Sequence, residues 1–185
     1  GAQAATPVIA FAGRVVREKR LDILIEVFAR LDGAAIDHRA VIIGDGPDRA
    51  MLQRRLPAAA FTGFLTGEDL AGAYASADVF LFPSDTETFG AVTLEAMASG
   101  LPTVCADATG SRCLVEDGLT GFLAPAGEAE AFFTAVAALA REPTLRSSMG
   151  ASARTRSVAF SWEAQMAGLL ARYERLASAP RRAAA

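Results

Sequence analysis

The chain has 185 residues, of which 52% are hydrophobic, and its formal net charge is −3. A domain of this size buries roughly 70% of the surface that its unfolded chain exposes, so it can fold without disulfides or structural metals. No stretch approaches the ~20 uninterrupted apolar residues of a membrane-spanning helix, and the slightly acidic balance argues against nucleic acid as a partner. We therefore expect one soluble globular domain.

The two ends of the chain carry no fold signal. Residues 1–7 lack the basic region and the apolar core of a signal peptide, and we interpret them as a linker or a tag remnant. Residues 179–185 are predicted to be a disordered tail, which leaves residues 8–178 as the domain. Cys105 and Cys113 form no CxxC pair, so we interpret both as small buried hydrophobic residues. Free cysteines of this kind fit a reducing cytoplasm.

Short apolar runs alternate with stretches of helical spacing along most of the chain. The predicted strands are Val8 to Ala12, Ala40 to Ile43, Ala58 to Phe61, Asp78 to Phe82, Pro102 to Ala106 and Gly121 to Ala124. The predicted helices are Leu21 to Leu31, one ending at Leu56, Glu68 to Ser76, Ala91 to Ala98, one ending near Glu116, and Glu128 to Ala140. This alternation predicts an α/β fold, a Rossmann-like doubly wound parallel sheet of about six strands with helices on both faces.

The remainder of the chain, after Arg141, shows only helical spacing. Pro143 is typical of the first turn of a helix, and a last helix is predicted to open at Ser161 and to run to about Ala177.

The segment from Glu87 to Glu95 predicts an anion site. A buried strand ends just upstream, and a helix is predicted to begin near Phe89 with Thr88 or a neighbour as its cap. The free N–H groups of a helix N-terminus attract anions, and Gly90 removes a side chain that would block a phosphate. The two glutamates can accept hydrogen bonds from hydroxyl groups. Glu95 interrupts an apolar helix and needs partners there. A phosphate site between two carboxylates that can bind hydroxyl groups suits a sugar nucleotide.

Two further loops follow predicted strands at the same edge of the sheet, where open parallel sheets bind ligands. Arg14, Arg17 and Lys19 lie just past the first strand, where two cations could clamp a diphosphate. On position alone, a solvated basic turn is an equally good interpretation. The loop from Gly44 to Pro47 is interpreted as a tight structural turn into a helix.

Other patterns give less support to a site. Neither G-x-G-x-x-G nor a P-loop is present, which argues against a nicotinamide cofactor or an ordinary ATPase. His38, the only histidine, precedes a strand at the opposite edge of the sheet, which favours a solvated loop position over catalysis. The basic stretch from Arg141 to Arg156 is interpreted as the outer face of helices.

Several motifs together resemble the carboxyl-terminal, donor-binding half of retaining GT-B glycosyltransferases of the group 1, family 4 type. The resemblance spans nearly the whole chain. Its motifs are Phe11-Ala-Gly-Arg14 with Glu18-Lys19, Ile42-Ile-Gly-Asp-Gly-Pro47, Ala77-Asp-Val-Phe-Leu-Phe-Pro-Ser84, Glu87-Thr-Phe-Gly90 with Leu94-Glu-Ala-Met-Ala-Ser-Gly-Leu-Pro102, and Gly118-Leu-Thr-Gly-Phe-Leu123. The Glu-x7-Glu signature of that family corresponds to Glu87 and Glu95, and its phosphate-binding Arg and Lys correspond to Arg14 and Lys19.

The resemblance implies a role for each residue of a donor site. Arg14 and Lys19 would neutralise the diphosphate, with backbone N–H groups completing the cradle, while Glu95 would hold the ribose and Glu87 would face the sugar. Arg14, Lys19 and Glu87 would thus be catalytic. The loop from Thr62 to Leu65 would meet the base. The full donor-binding set is Gly13, Arg14, Lys19, Gly63, Phe64, Glu87, Phe89, Gly90, Ala91, Val92 and Glu95.

The reaction implied by the resemblance is transfer of a sugar from a nucleoside diphosphate sugar, linked to UDP, GDP or ADP, to a hydroxyl acceptor. The anomeric configuration would be retained, and neither a metal nor a cofactor would be needed. The departing diphosphate gains negative charge in the transition state, which preformed cations and amides stabilise.

The chain departs from the family pattern in two respects. The preceding acceptor-binding domain of the family is missing, so we expect half an enzyme that binds nucleotide without turnover, with any peripheral membrane acceptor reached through the missing half. Arg20 stands where many relatives carry glycine after the lysine. The last helix, with Trp162, Tyr173 and Leu176, is expected to expose apolar surface.

Two alternatives stay open. One is a non-catalytic module that senses a nucleotide sugar or holds a partner chain. The other is half of a GT-B phosphorylase or of a sucrose- or trehalose-type synthase, because the motifs of those enzymes overlap with the ones present here.

Overall fold

A computed structural model describes residues 6–178. The strands are β1 (Val8–Ala12), β2 (Arg39–Ile43), β3 (Ala60–Gly63), β4 (Val79–Phe82), β5 (Thr103–Ala106) and β6 (Gly121–Ala124). The helices are α1 (Leu21–Gly33), α2 (Arg49–Arg55), α3 (Gly67–Ala75), α4 (Ala91–Ala98), α5 (Thr109–Leu114), α6 (Ala129–Arg141), α7 (Pro143–Ser157) and α8 (Trp162–Ser178). Single 3-10 turns at Arg17–Lys19 and Val158–Phe160 precede α1 and α8.

The six strands form one parallel sheet with the order β3-β2-β1-β4-β5-β6. The chain moves outward from β1 to β3, returns to the middle, and moves outward again from β4 to β6. The loops that follow the two central strands β1 and β4 therefore diverge and leave a crevice, which is where doubly wound sheets bind ligands. The predicted fold class is confirmed.

Helices cover both faces of the sheet. Right-handed crossovers place the helices of the two outward runs on opposite faces, so α1 and α6 pack together on one face, whereas α4 packs with α5 and α7 on the other. All residues of β4 and β5 are consequently buried. This burial explains why the strand sequences are continuous apolar runs and do not alternate with polar residues.

The boundaries of the elements differ slightly from the predicted ones. The helix Ala91–Ala98 and the strands Val8–Ala12 and Gly121–Ala124 are found as predicted. The strand predicted from Ala58 instead begins at Ala60, because Pro57 and the turn after it lie outside the ladder. Pro143 does open a helix, and the last helix begins at Trp162.

The proposed ends of the domain fall mostly outside the described residues. Residues 1–5 of the expected linker and residues 179–185 of the expected tail are among those that the structure does not describe. Pro7, however, is buried, and its carbonyl accepts a hydrogen bond of 2.9 Å from the N–H of Arg39. The packed body thus includes the last residue of the expected linker. No helix within residues 6–178 has the length and apolar content needed to cross a membrane.

Candidate functional site

The two central loops meet at the carboxyl edge of the sheet. Lys19 ends the 3-10 turn after β1, and its ammonium donates a hydrogen bond to Oε1 of Glu87, which lies in the loop after β4. The same oxygen accepts a hydrogen bond of 2.8 Å from the hydroxyl of Ser84. The side chains of Lys19 and Glu87 are only 15% and 16% exposed, so each charge depends on the other for compensation. The strand order therefore brings together two of the three residues expected to be catalytic.

The N-terminus of α4 lies beside this ion pair. Gly90 precedes the helix with a φ of 86°, a left-handed conformation that glycine adopts without steric cost. The predicted cap is wrong, because no side chain, Thr88 included, caps the helix. The carbonyl of Gly90 instead accepts hydrogen bonds from Thr93 and Leu94. Within the described part of the chain, the N–H groups of Ala91 and Val92 donate to no protein acceptor, so a ligand can reach them.

A glycine that the sequence analysis did not single out supports the Glu87 loop. Gly110 lies in the first turn of α5 and is buried against that loop. A Cβ atom at this position would lie 2.8 Å from both the Cβ and the carbonyl oxygen of Glu87. Only glycine fits there without moving the loop. The sequence contains no signal for this contact, because it joins residues from two different crossovers.

A cavity of about 340 Å³ opens beside α4, whose residues Val92 and Glu95 line it. Of the predicted donor-binding residues, Gly13, Arg14, Phe64, Val92 and Glu95 line it. The side chain of Arg14 is 73% exposed and its nearest carboxylate, that of Glu18, is 3.8 Å away. A cation thus faces the cavity with only a loose ion pair to hold it.

The second loop, interpreted as a purely structural turn, also reaches the cavity. Gly44 and Asp45 both contribute to its lining. A hydrogen bond from the N–H of Gly46 and a second one from Arg49 lower the pKa of Asp45, so its carboxylate stays ionised at the cavity rim. The interpretation of this loop as only a turn therefore misses a charged group.

Glu95 is exposed, but it has the partner that the sequence analysis required. The hydroxyl of Tyr74 on α3 donates a 3.1 Å hydrogen bond to Oε2 of Glu95 and also lies 3.3 Å from the carbonyl of Val92. Tyr74 is 2% exposed. Burial first, and then the charge of Glu95, raise the pKa of Tyr74, so it remains a donor. Sequence reasoning missed Tyr74, although a tyrosine in a buried helical position needs a partner for its hydroxyl.

Not every predicted site residue points into the same space. Gly63 is buried at the end of β3 and is followed by Phe64, whose side chain is 79% exposed. The ring of Phe89 packs edge-on against Phe160 at a centroid distance of 6.4 Å, so its side chain contacts the 3-10 turn that precedes α8. Ala91 is exposed at the first position of α4. Phe89 and Ala91 can therefore contribute to the expected cradle through their backbone groups.

The two cysteines, His38 and the basic stretch from Arg141 to Arg156 differ in part from what the sequence predicts. Cys105 is buried as expected, but Cys113 is exposed on α5, so the expectation of two buried cysteines is wrong for Cys113. His38 lies at the amino edge, as predicted, yet its side chain is only 10% exposed and its ring stacks on Phe28 at 5.5 Å, so it is not a solvated loop residue. The basic stretch from Arg141 to Arg156 is predicted to be an outer helix face, but Arg156 is half-buried. It donates a hydrogen bond to the carbonyl of Leu114 and so joins α7 to the end of α5.

The last helix exposes apolar side chains, as predicted. Trp162 and Tyr173 are 75% and 61% exposed, and Leu170 between them is 58% exposed. The side chain of Leu176 lies outside the part of the structure that is described.

The chain is similar in sequence to known enzymes. The family model described as glycosyl transferases group 1 matches residues 6–142. The chain is 44% identical over 169 residues to a GDP-mannose-dependent alpha-mannosyltransferase of Mycobacterium tuberculosis, covering 91% of this chain and 43% of that protein. The chain thus spans less than half the length of this relative.

The fold is similar to solved structures. A crystal structure of TarM from S. aureus, in complex with Fondaparinux, alpha-GlcNAc-glycerol and UDP, superposes with a TM-score of 0.81 at 19% identity and covers 97% of this chain and 37% of that one. The C-terminal domain of a group 1 glycosyl transferase, LpcC from Francisella tularensis, superposes with a TM-score of 0.74 at 22% identity and covers 82% and 84%. The chain has the fold of the C-terminal domains of GT-B glycosyltransferases, and it belongs to the glycosyl transferases of group 1.

Proposed function

We propose that the chain is the donor-binding domain of a retaining glycosyltransferase and that it binds a nucleoside diphosphate sugar at the crevice between the β1 and β4 loops. The observation that carries the proposal is the contact between Lys19 and Glu87. It joins a cation of the first loop to the loop that leads into the open N-terminus of α4. A diphosphate placed there would meet positive charge and unpaired N–H groups at once.

The proposed roles follow the positions of the residues around the crevice. Arg14 and Lys19 neutralise the diphosphate, and the N–H groups from Phe89 to Val92 complete the cradle. Glu95 accepts hydrogen bonds from the ribose hydroxyls in the cavity of about 340 Å³, and the base lies toward Gly63 and Phe64. Glu87 faces the donor sugar.

The proposed chemistry is transfer of the sugar to a hydroxyl acceptor with retention of configuration. As the sugar leaves, the nucleoside diphosphate gains negative charge, and cations already in place stabilise that gain without a metal ion. NMR of the product formed when this chain is joined to an acceptor-binding domain tests the stereochemistry, since an inverted anomer would contradict retention.

The similarity to a GDP-mannose-dependent mannosyltransferase supports GDP-mannose as the donor. The chain spans 43% of that relative, so we assign the acceptor-binding site and the remaining catalytic groups to regions outside this alignment. Each charge-assisted contact from these cations and amides contributes about 2 to 3 kcal/mol. Enzymes lower barriers by roughly 8 to 23 kcal/mol. We therefore expect the 185-residue chain to bind nucleotide without turning over a donor.

Isothermal titration calorimetry with GDP, UDP and ADP tests the proposal. We expect GDP to bind most tightly, with the same affinity in EDTA as in Mg²⁺. Tighter binding of UDP would change the proposed donor and leave the proposed site intact. A need for Mg²⁺ would refute the metal-free clamp, and no binding of any nucleotide at millimolar concentration would refute the function.

A further inference from the structure

Arg20 has an unusual backbone conformation at the junction of the first loop and α1. Its φ of 54° and ψ of 50° lie in the left-handed region, which glycine enters without steric cost and other residues rarely occupy. Within residues 6–178, Ala35 is the only other non-glycine residue with a positive φ. Such a conformation persists only where surrounding contacts maintain it.

The guanidinium of Arg20 supplies such contacts. Its Nε and Nη2 donate to the two carboxylate oxygens of Asp22, each at 3.1 Å, in the two-pronged geometry that arginine favours. Its Nη1 donates to Oδ2 of Asp85 at 3.1 Å. Asp22 belongs to the first turn of α1, whereas Asp85 belongs to the loop after β4. Arg20 therefore connects the two central loops of the sheet.

Two ion pairs thus run side by side between these loops. Lys19 bonds to Glu87, and its neighbour Arg20 bonds to Asp85. The side chains of Arg20 and Asp85 are 28% and 29% exposed, so solvent and salt screen their attraction less than that of a fully exposed pair.

The two pairs differ in what a bound diphosphate would do to them. A diphosphate beside Lys19 competes with Glu87 for its ammonium, which weakens the first connection. Arg20 is engaged on both sides by aspartates and keeps its partners. The second connection then maintains the distance between the loops while Lys19 exchanges one anion for another.

We propose that Arg20 is a positioning residue of the donor site, which acts through Asp85 to hold the Glu87 loop in place when Lys19 turns to the diphosphate. The proposal rests on the proposed function, since it concerns the same crevice. Arg20 touches neither the nucleotide nor the sugar in this scheme.

The test is Arg20→Gly in the 185-residue chain, with GDP affinity measured by calorimetry and amide hydrogen exchange measured across residues 84–90. Glycine keeps the left-handed backbone but removes the guanidinium. We expect GDP affinity to fall about fivefold or more, the scale of coupling between contacting groups. We also expect faster exchange in the loop, and a melting temperature that does not fall in parallel. Asp85→Asn should give the same loss, and the double variant should lose no more than either single one.

Ala35→Gly is the matched control, because it relieves the same backbone conformation at the opposite edge of the sheet. It should leave GDP affinity and loop exchange unchanged. Arg20→Lys keeps the charge but cannot bond both aspartates, so it should recover only part of the affinity. If the unsubstituted chain binds GDP and Arg20→Gly binds it equally well, the positioning role is refuted alone. If the unsubstituted chain binds no nucleotide, the proposed function fails and this role fails with it.

Discussion

The hydroxyl of Tyr74 donates a hydrogen bond of 3.1 Å to Oε2 of Glu95, across the gap between α3 and α4. Tyr74 is buried and its position is set by the core, whereas Glu95 is exposed beside the cavity. A buried donor with a fixed position limits the rotamers that an exposed carboxylate can adopt. The hydrogen bond therefore orients the carboxylate of Glu95 before a ligand binds.

Tyr74→Phe removes only the hydroxyl and should weaken nucleotide binding about fivefold, because one net hydrogen bond contributes roughly 1 kcal/mol. Calorimetry with GDP measures the change. Tyr173→Phe makes the same chemical change on α8, where the side chain is 61% exposed, and should have no effect. Equal affinities for the Tyr74 variant and the parent chain would mean that Glu95 needs no orientation.

Glu95→Ala should weaken GDP affinity by about tenfold, or ~1.4 kcal/mol, through loss of the proposed ribose contact. Glu68→Ala, an exposed glutamate in the first turn of α3, controls for the change in net charge. An unchanged dissociation constant would rule out the ribose role. Since Glu95 is exposed and the Tyr74 hydroxyl can still donate to the carbonyl of Val92, removal of Glu95 should leave the melting temperature close to that of the parent.

Gly110→Ala should disturb the Glu87 loop. The added Cβ would lie 2.8 Å from backbone and side-chain atoms of Glu87, and overpacking of this kind costs about 1 to 3 kcal/mol. We expect a lower melting temperature together with weaker nucleotide binding. In Gly72→Ala the new Cβ would meet no atom within 4 Å beyond its chain neighbours and the backbone of its own helix. The free energy of unfolding should instead rise by about 0.5 to 1 kcal/mol, because alanine favours a helical position more than glycine does. A Gly110→Ala chain that binds GDP normally would show that the loop tolerates displacement.

The two cysteines should differ in reactivity. Burial raises the pKa of the Cys105 thiol to about 12, whereas Cys113 is exposed. A thiol reagent at pH 8 should therefore label one cysteine rapidly in the folded chain and the second only after unfolding. Cys113→Ser should abolish the rapid phase, and two rapid equivalents in the parent would contradict the fold around β5.

The same shift gives a dependence of stability on pH. The folded chain holds the Cys105 proton at pH values where the unfolded chain releases it. Its contribution to stability is therefore complete below about pH 9 and is lost as pH rises toward about 12. Melting temperatures of the parent and of Cys105→Ala between pH 8 and pH 11 should converge as the pH rises. Parallel curves would contradict the shift.

The sequence predicts the elements well because each buried strand is an apolar run bounded by glycine, proline or polar residues. Val79–Phe82 is such a run, and Pro83 stops it. It predicts side-chain exposure less well. Cys113 is an apolar residue and Glu95 lies in an otherwise apolar helix, yet both are exposed, because the short helices that carry them leave one side open to solvent. Periodicity measures the average face of a helix and not the cover over each residue.

The amino-acid sequence by itself determined the alternation of strands and helices, the parallel sheet that this alternation requires, and the motifs that identify the family. Local propensities and apolar spacing are properties of short segments, so they can be read without a fold. The tertiary structure alone decided which segments meet. The strand order places Lys19 against Glu87, and the crossovers bring Tyr74 to Glu95, Gly110 to the Glu87 loop and Arg20 to Asp85. These contacts join residues from different βα units, and such pairing depends on how the whole sheet is wound.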